Sequence, residues 1–221
     1  MISTGNDIVV LECTDTERTK QTKFYSRILS EGEIELFKSN SFQTLSFENF
    51  VWLAWSVKES VYKFHGRSHP HTLFAPTKIK IKEILLPLKQ NGLDLSDTIE
   101  GISLDDRTCY SCEVNFDLLT FYTRSFVTGK LIFTVANNTE CFDSVHWGIK
   151  EISDDAYIMQ SREVRSFVVS KLCKIFLSND ISIEKAARGY PVIAQQKHIP
   201  LSFSHHGKFV GYAFVINETT S

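Results

Sequence analysis

The chain has 221 residues, 43% of them hydrophobic and 23% charged, and 24 basic against 26 acidic groups leave a formal charge of −2. That balance excludes wholesale disorder and gives no global attraction to nucleic acid or to an anionic membrane. No stretch approaches the roughly 18 uncharged apolar residues of a membrane span, and at about 150 residues per domain the length is too long for one minimal unit and short for two ordinary ones.

Met1–Asn6 has no basic segment and the apolar run Ile8–Leu11 is short, so no signal peptide is expected. That run follows Gly5-Asn6-Asp7 and reads as a buried strand with Asp7 at its entrance. Thr14–Ser30 is mostly polar, with apolar anchors at Phe24, Ile28 and Leu29. Ser30 followed by Glu33 is a capping-box pattern and opens a short helix through Phe37. Ser46 caps the next helix. Phe47, Phe50, Val51, Ala54, Val57, Val61 and Phe64 recur on one of its faces up to Gly66. His65–Pro76 reads as a loop. Lys78–Lys82 alternates with period two, which predicts a strand with one wet face. Gln90–Arg107 has the turn chemistry of a hairpin-like excursion. Further strands are predicted over Cys109–Phe116, Phe121–Val127, Leu131–Val135 and Val145–Ile152. A second amphipathic helix follows at Ser161–Phe176. Short strands come around Pro191–Ala194 and Leu201–Phe203, and a turn at His206–Lys208 leads into Phe209–Ile216.

Seventeen Phe against two Met predict a stiff aromatic core. Five Cys, an odd and sparse set, do not make a disulfide framework and suit a reduced, cytoplasmic setting. The sequons at Asn137 and Asn217 carry no weight in that setting.

Four groups of residues offer chemistry. Glu59 and Lys63, four apart on the first long helix, share one side with Trp55. This spacing also describes an ordinary surface ion pair, but Lys58 and Glu59 lie in an unusually aromatic helix, which predicts shielding. Asp7 is a turn-former or cap if alone. Paired with Glu59 it makes a hard-oxygen site for Mg²⁺, which takes one or two protein carboxylates and fills its other positions with water and phosphate oxygens. Ser202–Gly207 is either a strand end running into a turn or a phosphate seat of hydroxyls, turn amides and His. Adjacent His205 and His206 on a strand point to opposite faces, which argues against joint metal ligation. Cys109-Tyr110-Ser111-Cys112, one CxxC in a strand-like stretch, is a weak zinc or redox signal. Lys78, Lys80 and Lys82 read as the solvated face of a strand rather than a nucleic-acid contact.

Together these segments resemble the 4′-phosphopantetheinyl transferase superfamily. Gly5-Asn6-Asp7-Ile8-Val9 is similar to its metal-binding G-x-D-[IV] opening. Trp55–Lys63 (WSVKESVYK) is similar to its W-[ST]-x-K-E-[AS]-x-x-K helix. Leu201–Gly207 (LSFSHHG) is similar to its [FVL]-S-[IL]-S-H-[ST]-G segment, and Gly189-Tyr190-Pro191 stands where the family shows G-[KR]-P. Phe24–Glu33 (FYSRILSEGE) resembles the F-x-x-R-I-L-[ST]-x-x-E stretch of the short, holo-acyl-carrier-protein synthase type.

The resemblance implies transfer of the phosphopantetheine arm of coenzyme A to a serine of an acyl or peptidyl carrier protein, with release of adenosine 3′,5′-bisphosphate. It implies Asp7 and Glu59 as Mg²⁺ ligands, Glu59 as the base, and Lys63 as the cation on the leaving pyrophosphate. Lys58, Lys63, Gly189, Tyr190, Pro191, Ser204 and His205 are implied as coenzyme A contacts. Arg162, Arg165 and Arg188 are either further phosphate contacts or surface pairs. Two departures stand out. Tyr190 replaces a usual Lys or Arg, which removes one cation from the nucleotide end. Val9 replaces an acid of the longer transferases, as in the short type.

In those longer transferases the S-H segment precedes the W-S-x-K-E-S segment, whereas here it follows. Ser161–Ile193 resembles the first half of the long type. The expected fold is therefore α+β, a pseudo-dimer of two halves, each a long helix on a small antiparallel sheet. Residues 1–120 form the half with the metal-binding Asp and the W-S-x-K-E-S-x-x-K helix, and residues 121–221 the half with the coenzyme A segments. The two halves share one cleft and work as a monomer. A catalytically silent relative that binds coenzyme A or carrier proteins is the alternative.

Overall fold

The computed structural model describes residues 3–39, 45–89, 98–186 and 189–216. In chain order the elements are β1 (Gly5–Val10), α1 (Thr16–Thr19), α2 (Thr22–Tyr25), α3 (Glu31–Ser39), α4 (Phe47–Gly66), β2 (Lys80–Leu85), β3 (Thr98–Ile102), β4 (Tyr110–Phe116), β5 (Leu119–Val127), β6 (Leu131–Asn137), β7 (Val145–Glu151), α5 (Tyr157–Phe176), β8 (Ile183–Lys185), β9 (Pro191–Ile193), β10 (Leu201–His206) and β11 (Phe209–Val215). They build an antiparallel five-stranded sheet in the order β1-β6-β5-β4-β2, a four-stranded sheet β10-β11-β7-β3 and the small hairpin β8-β9. The fold is α+β, as the sequence predicts.

Three apolar clusters define the layers. The apolar face of α4, with Phe50, Val51, Ala54, Val57 and Val61, packs on one face of the first sheet. A second cluster joins Ile8, Val10, Phe133 and Val135 to Trp147, Ile149, Phe209 and Ala213, so it lies between the two sheets. The third seats Val164, Phe167, Val168 and Leu172 of α5 against Val210, Tyr212 and Phe214. The order is thus helix, sheet, sheet, helix. Covered on both faces, β6 and β11 are buried at every residue, which is why they read as near-continuous apolar runs.

Strand pairing cuts across residue 120. β5 and β6 complete the first sheet, and β3 pairs with β7 in the second. β3 lies inside the stretch read as a hairpin-like excursion, of which residues 90–97 fall outside the described residues. It is an edge strand with half-exposed residues, so its pattern carries little apolar signal. The short β8 was also not predicted. Helix α5 starts four residues before Ser161, because its exposed first turn (Tyr157, Ile158) shows no apolar periodicity.

The two sheets meet where β1 runs beside β10. The Asn6 amide N–H donates to Ser202 Oγ at 3.0 Å, Asn6 Nδ2 to Ser204 Oγ at 2.6 Å, and the Val10 N–H to His206 Nδ1 at 2.9 Å. Partners advance in the same direction along both strands, so the strands run parallel. Side chains, not a backbone ladder, close this seam.

Candidate active site

The site grows from the alternation of β1. Gly5, Asp7 and Val9 face α4, while Asn6, Ile8 and Val10 face the seam and the second cluster. Gly5 is required because the strand backbone lies directly on the helix. A Cβ there would sit 2.0 Å from the Ser60 carbonyl oxygen. This close approach brings Asp7 onto the side of α4 that carries Glu59 and Lys63. The strand starts three residues before the predicted run, so Asp7 is mid-strand and pairs with Thr134 instead of marking an entrance.

Helix α4 starts where predicted, with the Ser46 side chain accepting the Asn49 N–H at 3.2 Å, and it ends at Gly66. Lys63 Nζ lies 3.1 Å from Asp7 Oδ1, 3.1 Å from Glu59 Oε1 and 3.0 Å from the Asn6 carbonyl. The Asp7 side chain is 7% exposed, Glu59 26% and Lys63 28%, so this is a half-shielded cluster rather than a solvated ion pair. Burial pushes the Asp7 carboxyl up to about 7, against the pull of Lys63 and with a further push from Glu59. Burial pulls the Lys63 ammonium down, but Asp7 and then Glu59 outweigh it and hold its pKa above the ordinary value. At the rim, partial desolvation and then the Lys63 charge hold the His205 imidazole below its usual range.

Two cavities flank the cluster. One of about 390 Å³ is lined by Asp7, Glu59, Trp55, Arg18, His205 and His206. The other, of about 560 Å³, is lined by Lys63, Arg67, Tyr190, Pro191, Ser202 and Phe203. The structure therefore places Asp7, Glu59 and His205 on the first cavity and Lys63, Tyr190 and Pro191 on the second, and the ion pairs of Lys63 with Asp7 and Glu59 join the two. Gly189, in the left-handed region at φ +90°, makes the turn that presents Tyr190.

Asp7 Oδ2 is buried without a hydrogen-bond partner among the described residues, and Glu59 supplies a second carboxylate on the other side of Lys63. Among the described residues no group of three or more His, Cys, Asp or Glu assembles to hold a metal. Two carboxylates fit a hard divalent cation that completes its shell with water and phosphate oxygens, and not a fully protein-ligated one.

Lys58 does not join the cleft. It is fully buried on the opposite flank of α4, where its Nζ lies 2.7 Å from Glu33 Oε2 and 2.6 Å from the Ile28 carbonyl. Glu33 also accepts the Ser30 N–H at 2.7 Å, the capping-box bond, and the Ile81 N–H at 2.9 Å. The expected coenzyme contact at Lys58 is corrected to a brace between α3, α4 and β2. Ser204 is likewise buried, and its hydroxyl takes the Asn6 amide in the seam instead of facing the cleft.

The CxxC carries no zinc or redox chemistry. Three apart on an extended chain, Cys109 and Cys112 face opposite sides and enter different cores. Burial pushes both thiols up to about 12, which keeps them protonated. On α5, Arg162 pairs with Glu163 and Arg165 bonds Ser161 one turn earlier, so each is held by its own helix. Arg188 lies outside the described residues.

Three residues escaped the sequence reading. Glu33 showed its capping pattern but not its buried partner. Asn6 looked like a spacer between Gly5 and Asp7. Arg67 sits just past the predicted helix end, where no motif singles it out.

Residues 3–90 match the family model of the 4′-phosphopantetheinyl transferase superfamily. The match spans the whole β1–α4 site, from Gly5 to Lys63. No curated protein and no solved structure matches the chain. The superfamily uses coenzyme A as donor and acts on carrier proteins, so residues 3–90 point to phosphopantetheine transfer in general. No helix among the described residues is long and apolar enough to cross a membrane.

Proposed function

We propose that this chain, which carries a 4′-phosphopantetheinyl transferase superfamily match over residues 3–90, moves the phosphopantetheine arm of coenzyme A to a serine of an acyl or peptidyl carrier protein. The observation that carries this reading is that Asp7, Glu59 and His205, from opposite ends of the chain, line one cavity while Lys63 bridges the two carboxylates. The carrier serine oxygen forms a bond to the β-phosphorus, and the bond from that phosphorus to the bridging oxygen breaks. Adenosine 3′,5′-bisphosphate leaves with that oxygen. Such transfers depend on positioning and charge neutralisation more than on covalent chemistry by the protein.

Glu59, half-exposed on the cleft wall, takes the serine proton. Lys63 neutralises the departing pyrophosphate oxygens from its perch between the two carboxylates. Asp7 and Glu59 would hold Mg²⁺ or a similar cation, which when bound supplies Lewis acidity and a template for the pyrophosphate. His205 stands at the rim to meet a phosphate, and Gly189–Pro191 back the nucleotide.

The two helix-on-sheet units joined at the β1–β10 seam support a monomeric enzyme with its cleft between them. Size-exclusion with light scattering tests this, and an obligate trimer would overturn it. Five free cysteines agree with a reduced, cytoplasmic setting.

The deciding experiment mixes the protein with coenzyme A, Mg²⁺ and apo carrier proteins of the fatty-acid, polyketide and peptide-synthetase types. A mass gain of one phosphopantetheine is expected on at least one carrier and is abolished in Glu59→Ala. No gain on any carrier favours the silent relative, and a fully active Glu59→Ala sinks the site assignment.

A further inference from the structure

His206 closes β10, where the chain turns through Gly207 in the left-handed region at φ +52°. Neighbouring elements clamp this turn. The Val10 N–H of β1 donates to His206 Nδ1 at 2.9 Å, and the buried Gln160 of α5 donates to the Gly207 carbonyl at 2.9 Å. Cys13 Sγ lies 3.0 Å from where a Cβ at Gly207 would sit. The imidazole is therefore held in place before any substrate arrives.

The Val10 bond also sets the chemistry of the ring. A nitrogen that accepts an N–H carries no proton, so the proton of the neutral imidazole sits on Nε2. While that bond stands, Nε2 donates and neither ligates a metal nor takes up a proton. His206 lines the 390 Å³ cavity with Asp7 and Glu59, and with Nδ1 turned to β1 the Nε2–H is the polar group it offers there. Lys63, the cation for the leaving group, lines the other cavity. On the side where a hydroxyl approaches Glu59, the carboxylates of Asp7, Asp15 and Glu59 face the guanidinium of Arg18. A further cation beside Glu59 would weaken it as a base, whereas a neutral N–H polarises a phosphoryl oxygen without doing so. The [FVL]-S-[IL]-S-H-[ST]-G pattern has Ser or Thr at this position, where this chain has His.

We propose that His206 is a further catalytic residue, a neutral donor whose Nε2–H binds a non-bridging oxygen of the phosphoryl group as the carrier serine attacks. This rests on the transferase reading for the reaction. The serine oxygen bonds to phosphorus, the bond to the bridging oxygen breaks, Glu59 receives the serine proton and His206 transfers none. A prepositioned donor strengthens its bond as charge builds on the oxygen, so it acts on rate more than on coenzyme A binding.

Two variants separate this role from the bond to β1. In His206→Asn the amide oxygen replaces Nδ1 and keeps the Val10 bond, but no N–H reaches the Nε2 position. In His206→Gln the amide N–H reaches that position and the Val10 bond is lost. Single-turnover carrier modification at saturating coenzyme A should slow by about 10²-fold in His206→Asn, with thermal midpoint and coenzyme A affinity held. His206→Gln should recover most of that rate despite a lower thermal midpoint. Nitrogen NMR of the histidine-labelled protein, with the His206 signals assigned by their loss in His206→Asn, should show the Nε2–H tautomer with and without Mg²⁺. An unslowed His206→Asn, rates that follow the thermal midpoints of the two variants, or an Nδ1–H tautomer overturns the role. Carrier mass gain with an unslowed His206→Asn removes this inference alone. No mass gain from the unmodified protein on any carrier removes the transferase reading and this role with it.

Discussion

Helix α4 carries two lysines five residues apart, each clasped by acid, and they do opposite work. Lys58 and Glu33 are sealed, at 0% and 1% side-chain exposure, and every oxygen of Glu33 is spent on Lys58, Ser30 or Ile81. Lys63 stands between Asp7 and Glu59 with about a quarter of its surface open, and Asp7 Oδ2 meets no hydrogen-bond donor in good geometry among the described residues. The same residue types serve as a brace where all valences are satisfied and, in the proposed function, as a reaction centre where some are left over. Satisfaction, not charge content, separates them.

Breaking the sealed cluster should have the largest effect. Lys58→Ala strands the Glu33 carboxylate in the core and should cost about 3–5 kcal/mol in urea unfolding, the usual penalty for half of a buried pair. A loss under about 1 kcal/mol would show that the cluster is wetter than its geometry implies.

The open cluster should respond in rate. Lys63→Met should lower kcat by about 10²- to 10³-fold, as when one oxyanion-stabilising group is removed, with a far smaller change in stability than Lys58→Ala. Single-turnover measurement of carrier modification checks this. If Lys63→Met unfolds the protein as Lys58→Ala does, the contrast between the two clusters fails.

The last effect sharpens the contrast through pH. The unfolded Asp7 carboxyl ionises near 3.8 and the folded one near 7. Between those values the unfolded chain has released the proton and the folded chain still holds it. Stability is therefore fully present below about 4 and is lost as pH rises towards 7. In chelator, Asp7→Asn should be more stable than the unmodified protein at pH 8, by up to about 4 kcal/mol, and the gain should vanish near pH 4. The same variant should lose transfer activity. A gain that does not depend on pH would mean that burial of Asp7 is not the cause.

Much of this was legible in the chain. The Ser46 cap, the apolar face from Phe47 to Phe64 and the stop at Gly66 predict α4, because helix period and capping are local properties. The strands from β4 to β7 and β11 follow from apolar runs between turns. The resemblance of Trp55–Lys63 to the W-[ST]-x-K-E-[AS]-x-x-K helix marked Glu59 and Lys63, whose spacing alone also fits a surface ion pair. Lys58 was misread because a helix sequence shows angular position but not what lies opposite, and its partner Glu33 arrives from another helix. Ser204 was misread for the same reason, since its partner Asn6 belongs to the first strand of the chain.

What the sequence determined by itself was the set of local elements and the residue types able to handle phosphate chemistry. The tertiary structure decided which of them meet. It did so through long-range contacts that no periodicity encodes: Gly5 letting β1 touch the α4 backbone, and Asn6 and Val10 bonding across to Ser202, Ser204 and His206. Packing thereby sorted two chemically similar lysines into a sealed brace and an open site.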